Sequence, residues 1–424
     1  MNLFVTIILW ISYVVSLYFS IFLLLVYLDH RKLFKREQSS TDLKDNPLVS
    51  ILVPAFNEEK TIGKTLQSLQ ELDYPQDHLE VIVINDGSTD STAKIVTSFI
   101  KDKPHFKLIS HANRGKAASL NQALEIARGE FFACLDADSF VHPLTLKKML
   151  GLYQQEEDPQ IAIITPAMKV SNPQTVLQRI QWLEYIVMIL FGRITSNLHS
   201  IYVAPGPFSL YNTEIIRKIG GFDEKNITED QEIAYRLQLH QFKIKQCFDG
   251  YVYTTAPAKL KPFYRQRRRW YLGSVACLHQ YRTMIANKKY GDFGIMQMVK
   301  NFMGYFLAVT GITISLYYLF IPLFHLLERM NAIGFDLLSY ITHFKWNITP
   351  FTFLLTDIKL MFILLLLLVV GFIFFYAAHK SADEKILKFG WIPIIPYFLG
   401  YYLLKGTILL ISVVKFSRGK KIKW

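Results

Sequence analysis

The stretch "LEVIVINDGSTDSTAKIVTSFI", residues 79–100, decides the fold. It opens on a run of mostly apolar side chains, several of them β-branched, that stops at Asn85 and Asp86. A polar turn follows, and a helix-forming segment runs over 90–100. A short apolar run bounded by turn signals reads as a buried strand. The same order of elements surrounds it. "VSILVPAF" (49–56) predicts a strand, and "EEKTIGKTLQSLQEL" (58–72) predicts a helix with Ile62, Leu66 and Leu69 on its apolar face. "FKLIS" (106–110), "KAASLNQALEIA" (116–127) and "EFFACLDAD" (130–138) continue the alternation. Strands and helices joined by short links predict a parallel sheet covered on both faces. In such sheets ligands bind beyond the carboxyl ends of the strands.

Those ends are polar here. The first strand runs into Asn57 and Glu58, the second into Asp86, and the fourth into Asp136 and Asp138. Three aspartates are thus expected on one rim. Like charges so close need a cation between them or a proton on one of them. A divalent metal held by few protein ligands, its shell completed by a diphosphate, meets that need. No GxxxxGK[ST] occurs, which excludes a P-loop. Each motif has a plain reading as well. "NDGS" is an ordinary turn sequence, "DAD" a solvated loop, and Lys116 in "NRGKAAS" (113–119) a solvated helix start. Their placement together at the ends of parallel strands argues for chemistry.

The rest of the chain points to a membrane. Of 424 residues 51% are hydrophobic and 14% aromatic, yet the net charge is +13. That combination fits neither a disordered basic tail nor a purely soluble domain; it suits a membrane protein with a basic cytoplasmic surface. Leu3–Leu28 is long enough to cross a bilayer, and "DHRKLFKRE" follows it, so residues 1–30 read as a span with residues 45–290 on the cytoplasmic side. Residues 296–416 form a second apolar region, with spans expected at 302–324, 359–378 and 391–414; Pro393 and Pro396 interrupt the start of the last. Three such spans would leave the basic tail (417–424) outside, against the charge rule. A further pass near 335–355 or Pro393 would resolve this, and the reading favours five crossings over four. Cys134, Cys247 and Cys277 form no CxxC pair, so neither disulfides nor zinc are indicated.

Two later segments carry more. "ITEDQEIAYRLQLH" (227–240) opens a helix, with Thr228 and Gln231 spaced as a capping box. "KPFYRQRRRWYLG" (261–273) is basic and aromatic, a composition open to nucleic acid, a membrane surface, or a sugar and a diphosphate. Asp86 in "NDGSTD", "DAD" at 136–138, "TED" at 228–230 and "QRRRW" at 266–270 occur in this order over residues 45–275. In that set the chain resembles family 2 membrane glycosyltransferases, the group that includes poly-β-1,6-N-acetylglucosamine, hyaluronan, chitin and cellulose synthases.

The resemblance implies a GT-A-type, Rossmann-like α/β catalytic domain on the cytoplasmic side, combined with an α-helical transmembrane region. It implies a UDP-sugar donor, a polysaccharide or oligosaccharide acceptor, Mg2+ or Mn2+, a plasma-membrane location, room for an accessory membrane subunit, and no nucleic acid. Asp86, Pro54, Ala55 and Glu58 match residues against the nucleotide, and Lys116 a contact to its phosphate or ribose. Asp138 and then Asp136 match the metal ligands. Asp230 matches the general base, with Glu229 beside it in the catalytic motif. Arg269 matches a contact to the diphosphate, Gln266 a contact to nucleotide or acceptor, and Trp270 the platform for the acceptor sugar. Arg265, Arg267 and Arg268 are expected to face anionic headgroups. "YVAPGPFSLYN" (202–212) matches an acceptor-lining segment, where Gly206 lets the backbone approach closely. Helices near 176–193 and 262–280 are expected at the membrane interface. The implied activity is an inverting, processive β-glycosyltransferase that exports its polymer; the alternative is single sugar addition to a lipid or other acceptor.

Overall fold

A computed structural model describes residues 3–30, 39–332, 334 and 358–418. The core is an eight-stranded sheet in the order β3-β2-β1-β4-β7-β6-β8-β5. β1 (Val49–Ala55), β2 (Leu79–Asp86), β3 (Phe106–His111) and β4 (Phe131–Cys134) are mutually parallel. They are linked by α2 (Ile62–Gln70), α3 (Thr92–Ile100) and α4 (Lys116–Ile126). Every residue of β2 is buried, as a strand covered on both faces requires. Chain order reverses direction between β1 and β4, so the crevice outside their carboxyl ends is the expected ligand site. β1 pairs Ala55 with Asn85 and Leu52 with Cys134. That register brings Glu58, Asp86, Asp136 and Asp138 to one edge of the sheet.

The other half departs from the predicted parallel sheet. β7 (Leu210–Asn212) runs antiparallel to both β4 and β6 (Ile161–Val170), and β5 (Ser139–Val141) runs antiparallel to β8 (Lys243–Thr254). β6 and β8 are parallel to each other. Between β6 and β7 the chain runs through a helix at 176–197 and then a loop, and that loop returns it antiparallel to β6 instead of crossing over in the β–α–β manner of the first half. Its three residues carry no alternation that a sequence could display. Asn212 ends β7 and caps α7 (Thr213–Lys218), its Oδ1 accepting the Ile215 N–H at 3.1 Å. The predicted strand over 130–138 also divides. β4 stops at Cys134, and Asp136 to Asp138 form the turn before β5, closed by Ser139 N–H donating to the Asp136 carbonyl. The DAD motif therefore sits in a gap of the sheet edge.

α5 (Thr145–Glu156) completes the cover of one face. α6 (Val176–Asn197) lies between the domain and the apolar helices, packed among residues of β6, α1 (Leu3–His30) and α11 (Ile358–Ser381). A capping box opens it: Thr175 accepts from Gln178 N–H while the Gln178 side chain returns to the Thr175 backbone. α8 (Glu229–Leu239) and α9 (Leu260–Gln280) carry the two later motifs. After a π-helical turn (Phe293–Met298) comes α10 (Val299–Ala332). After α11 come one helical turn (Ile394–Pro396), a π-helical turn (Tyr397–Tyr401) and α12 (Tyr402–Ser417).

Among the described residues four helical stretches are long and apolar enough to cross a membrane: Thr6–His30, Phe293–Ala332, Met361–Ser381 and Ile394–Ser417. The extra pass expected near 335–355 lies outside the described residues, as does the tail beyond Arg418. The apolar helices are keyed to the domain. Lys169, at the end of β6, donates to the Ala382 carbonyl at 2.7 Å and pairs with Glu384 at 3.4 Å. α12 runs parallel to α9, with Phe263 against Tyr401 near one end and His279 against Phe416 near the other, ring centroids 5.8 Å apart in each pair.

Candidate active site

Asp86 ends β2 buried. Its two carboxylate oxygens accept the backbone N–H groups of Arg114 (2.7 Å) and Gly115 (3.0 Å), with His111 Nδ1 3.4 Å away. Gly115 has φ +90°, a conformation that favours glycine, and it hands the chain directly to α4. The first residue of α4 is Lys116. Its ammonium bridges Asp136 (2.6 Å) and Glu229 (2.9 Å). One short loop thus ties three motifs together: β2 holds the loop, the loop aims Lys116, and Lys116 joins the DAD turn to the TED motif. Burial alone would lower the lysine's affinity for its proton, but Asp136, Glu229 and Asp230 outweigh burial and hold the pKa well above its usual value.

Gly206 lies over this cluster. A Cβ there would come within 2.8 Å of Lys116 Nζ and 3.2 Å of an Asp136 oxygen, so the backbone of the 202–212 segment lies close against the Lys116–Asp136 pair. Ala204 N–H also donates to the Asp230 carbonyl at 3.1 Å.

Asp138 lies on the same turn as Asp136. Burial, then the Asp136 charge, push its carboxyl up to about 6 against the bond from Ser139. Glu58, beyond β1, is raised by burial and by Asp136 and Asp90, while the Thr61 hydroxyl, 2.6 Å away, opposes the shift. Pro54 and Ala55 form the end of β1 beside it. Hard carboxylate oxygens crowded so that Asp136 raises the pKa of both Asp138 and Glu58 suit a divalent cation. Among the described residues no cluster of three or more His, Cys, Asp or Glu is arranged around one metal position.

Asp230 is the second residue of α8. Burial comes first and the Glu229 charge second in pushing its carboxyl up to about 7; Lys116 and Arg269 pull the other way. Two opposed influences were legible in the sequence, a helix N-terminus that favours the carboxylate and burial that disfavours it. Burial wins. The predicted capping box does not form at Thr228, whose hydroxyl instead donates to Asn226 Oδ1. Gln231 N–H turns to Asp230 Oδ1, and the Gln231 side chain accepts from Ser274 on α9 at 2.6 Å. The N-terminus of α8 is thereby fastened to the helix bearing QRRRW.

α9 packs on α8 at Gly273. A Cβ there would lie 2.0 Å from Thr228 Oγ1 and 2.4 Å from its Cγ2. G273A is therefore expected to destabilise the protein by about 1–3 kcal/mol and to depress activity more than its loss of melting temperature accounts for, because Thr228 is two residues from Asp230. A thermal melt beside an activity assay checks this; a variant with wild-type activity and melting temperature would refute the close contact.

The run at 265–270 resolves residue by residue. Gln266 is half-buried, its Oε1 enclosed without a hydrogen-bond partner, an acceptor suited to a ligand hydroxyl. Arg269 is exposed and acts electrostatically on Asp230. Trp270 is half-buried. Arg267 corrects the expectation of a headgroup contact: it is buried and forms a bidentate pair with Glu184 on α6, at 3.2 and 2.6 Å. Lys405 (2.7 Å) and the Tyr401 hydroxyl (2.6 Å) complete the shell of Glu184. The sequence reading passed over this node. Its signal was a lone acid in "QWLEYIV" and a lone lysine in "YLLKGTILL", each isolated in an apolar run.

A mixed sheet of this order, with the DAD turn at its switch point, defines a GT-A glycosyltransferase fold. The solved structure of the mannosyltransferase PcManGT from Pyrobaculum calidifontis, in complex with GDP-Man and Mn2+, matches over 96% of this chain and 99% of its own, with TM-score 0.59 at 18% identity, a likeness of fold. Residues 50–220 match the family model Glycosyl transferase family 2, so the chain carries a family 2 domain and is a glycosyltransferase. The poly-beta-1,6-N-acetyl-D-glucosamine synthase of Staphylococcus epidermidis is 27% identical over 376 residues, 88% of this chain and 84% of that one. The probable glycosyltransferase YdaM of Bacillus subtilis is 29% identical over 282 residues, 65% of this chain and 66% of that one.

Proposed function

We propose that this chain is an inverting β-glycosyltransferase that moves a sugar, GlcNAc as first candidate, from a UDP-sugar to a growing polysaccharide at the cytoplasmic face of the membrane, and passes the polymer across. The observation that carries the reading is the Lys116 bridge between Asp136 and Glu229, beside a carboxyl at Asp230 tuned to about 7. The likeness to a named GlcNAc polymer synthase along 88% of the chain supports the donor and the product class.

In this reading Pro54, Ala55, Glu58 and Asp86 hold the nucleotide. Asp138 and Asp136 hold Mg2+ or Mn2+, which when bound neutralises charge on the departing diphosphate. Lys116 keeps Asp136 oriented and adds positive charge beside the diphosphate. Arg269 takes phosphate oxygens through its planar fork. Trp270 offers its face to the acceptor ring, and Gln266 Oε1 accepts a hydroxyl. Asp230, unprotonated, takes the proton from the attacking hydroxyl, and Glu229 keeps Lys116 directed at the site. One displacement by one base inverts the anomeric centre, so an α-linked donor gives a β-linked product.

Incubating the purified full chain with a panel of labelled UDP-sugars, and then sizing the product, tests this. UDP-GlcNAc is expected to give the fastest UDP release and a ladder of long chains. Discrete single additions would instead establish the alternative, a non-processive enzyme acting on a lipid or other acceptor.

A further inference from the structure

We propose that Glu184 is a positioning residue for Trp270, acting through Arg267; this rests on the reading above only in giving Trp270 an acceptor to meet. Glu184 sits on α6, outside the catalytic cleft, and is buried. Its carboxylate receives two N–H groups of the Arg267 guanidinium, which fixes the plane of that group. The same guanidinium lies 4.3 Å from the centroid of the Trp270 ring. A guanidinium locked on one edge and lying over an indole restricts the orientations the indole can take. The chain of contacts is therefore Glu184 to Arg267 to Trp270.

Lys405 and Tyr401 complete the shell of Glu184 from the α12 side without being needed for the contact of Arg267 with Trp270. Glu184 remains ionised in this enclosure: burial would raise its pKa, but Arg267 and then Lys405 outweigh burial and lower it. A buried ion pair alone could be no more than an anchor between helices. The indole beneath the guanidinium sets this one apart, because an anchor needs only charge, whereas a cation held against the ring by two hydrogen bonds needs the planar fork.

R267K separates the two roles. It keeps the charge facing Glu184 and removes the plane against Trp270. In the purified full chain, R267K is expected to raise KM for an oligosaccharide acceptor on the order of tenfold while KM for UDP-GlcNAc stays within about twofold. E184Q should behave alike, E184D should recover part of the loss, and K405M should lower the melting temperature while leaving the ratio of acceptor KM to donor KM near wild type. A readout independent of turnover accompanies these. Acrylamide quenching of the Trp270 emission, taken as the difference between each protein and its W270F counterpart, should increase in R267K and E184Q. Wild-type acceptor KM and quenching in R267K would overturn the proposal, as would equal rises in donor and acceptor KM, or a rise in that ratio by K405M equal to that by E184Q. A wild-type chain that transfers no sugar would sink the functional reading instead. The quenching comparison then decides alone: equal quenching overturns the proposal and increased quenching supports it.

Discussion

Asp230→Asn is expected to reduce sugar transfer by about 10²–10⁴-fold, the range that a positioned general base contributes. The amide fills the same space and keeps a hydrogen-bond acceptor for Gln231 N–H, so the fold and the affinity for the sugar nucleotide should survive. Titration of UDP binding alongside turnover separates the two effects. The wild-type pH profile is a second reading of the same residue. Glu229, Asp136, Lys116 and Arg269 all act on this carboxyl, and burial with Glu229 leaves it near 7. The base works only when deprotonated, so kcat/KM should climb about tenfold per pH unit below 7 and level off above it. A profile flat between pH 5 and 8, or an Asp230→Asn enzyme of undiminished rate, would remove Asp230 from the reaction.

The second large effect is expected at the DAD turn. Asp138→Asn removes a charge from the donor set while keeping its shape, and chelation of divalent ions by EDTA acts on the wild-type protein at the same place. Lewis-acid assistance to a leaving diphosphate is worth several kcal/mol, so either treatment should slow transfer by ~10² or more. Added Mn2+ or Mg2+ should restore the chelated wild type and leave Asp138→Asn slow. Full activity in EDTA would show that Lys116 and Arg269 carry the diphosphate charge without a metal. Asp136→Asn should do additional harm, because the Lys116 bridge at 2.6 Å would lose its charged partner and release the ammonium towards Glu229.

Much of this was written plainly in the sequence, for identifiable reasons. β2 follows its mostly apolar run from Leu79 and carries on into Asn85 and Asp86, because both faces are buried and each side chain is constrained. The strand-end acids were equally legible, since parallel register alone delivers them to one edge. β7 was not legible: three residues cannot display a period, and its antiparallel sense comes from the route of the preceding loop. The capping box at Thr228 failed because a tertiary partner, Ser274, competes for the Gln231 side chain that the local pattern assigns to the helix end. Arg267 was misplaced for the same kind of reason. Nothing within "QRRRW" distinguishes an arginine that meets solvent from one that meets a glutamate 83 positions earlier.

The parallel course of α9 and α12 has a mechanical outcome. Because the two helices touch near both ends, through Phe263 with Tyr401 and His279 with Phe416, neither can tilt without carrying the other. An apolar helix leans when hydrocarbon thickness changes. The helix that bears QRRRW and an apolar helix are thereby geared together, one leaning with the other.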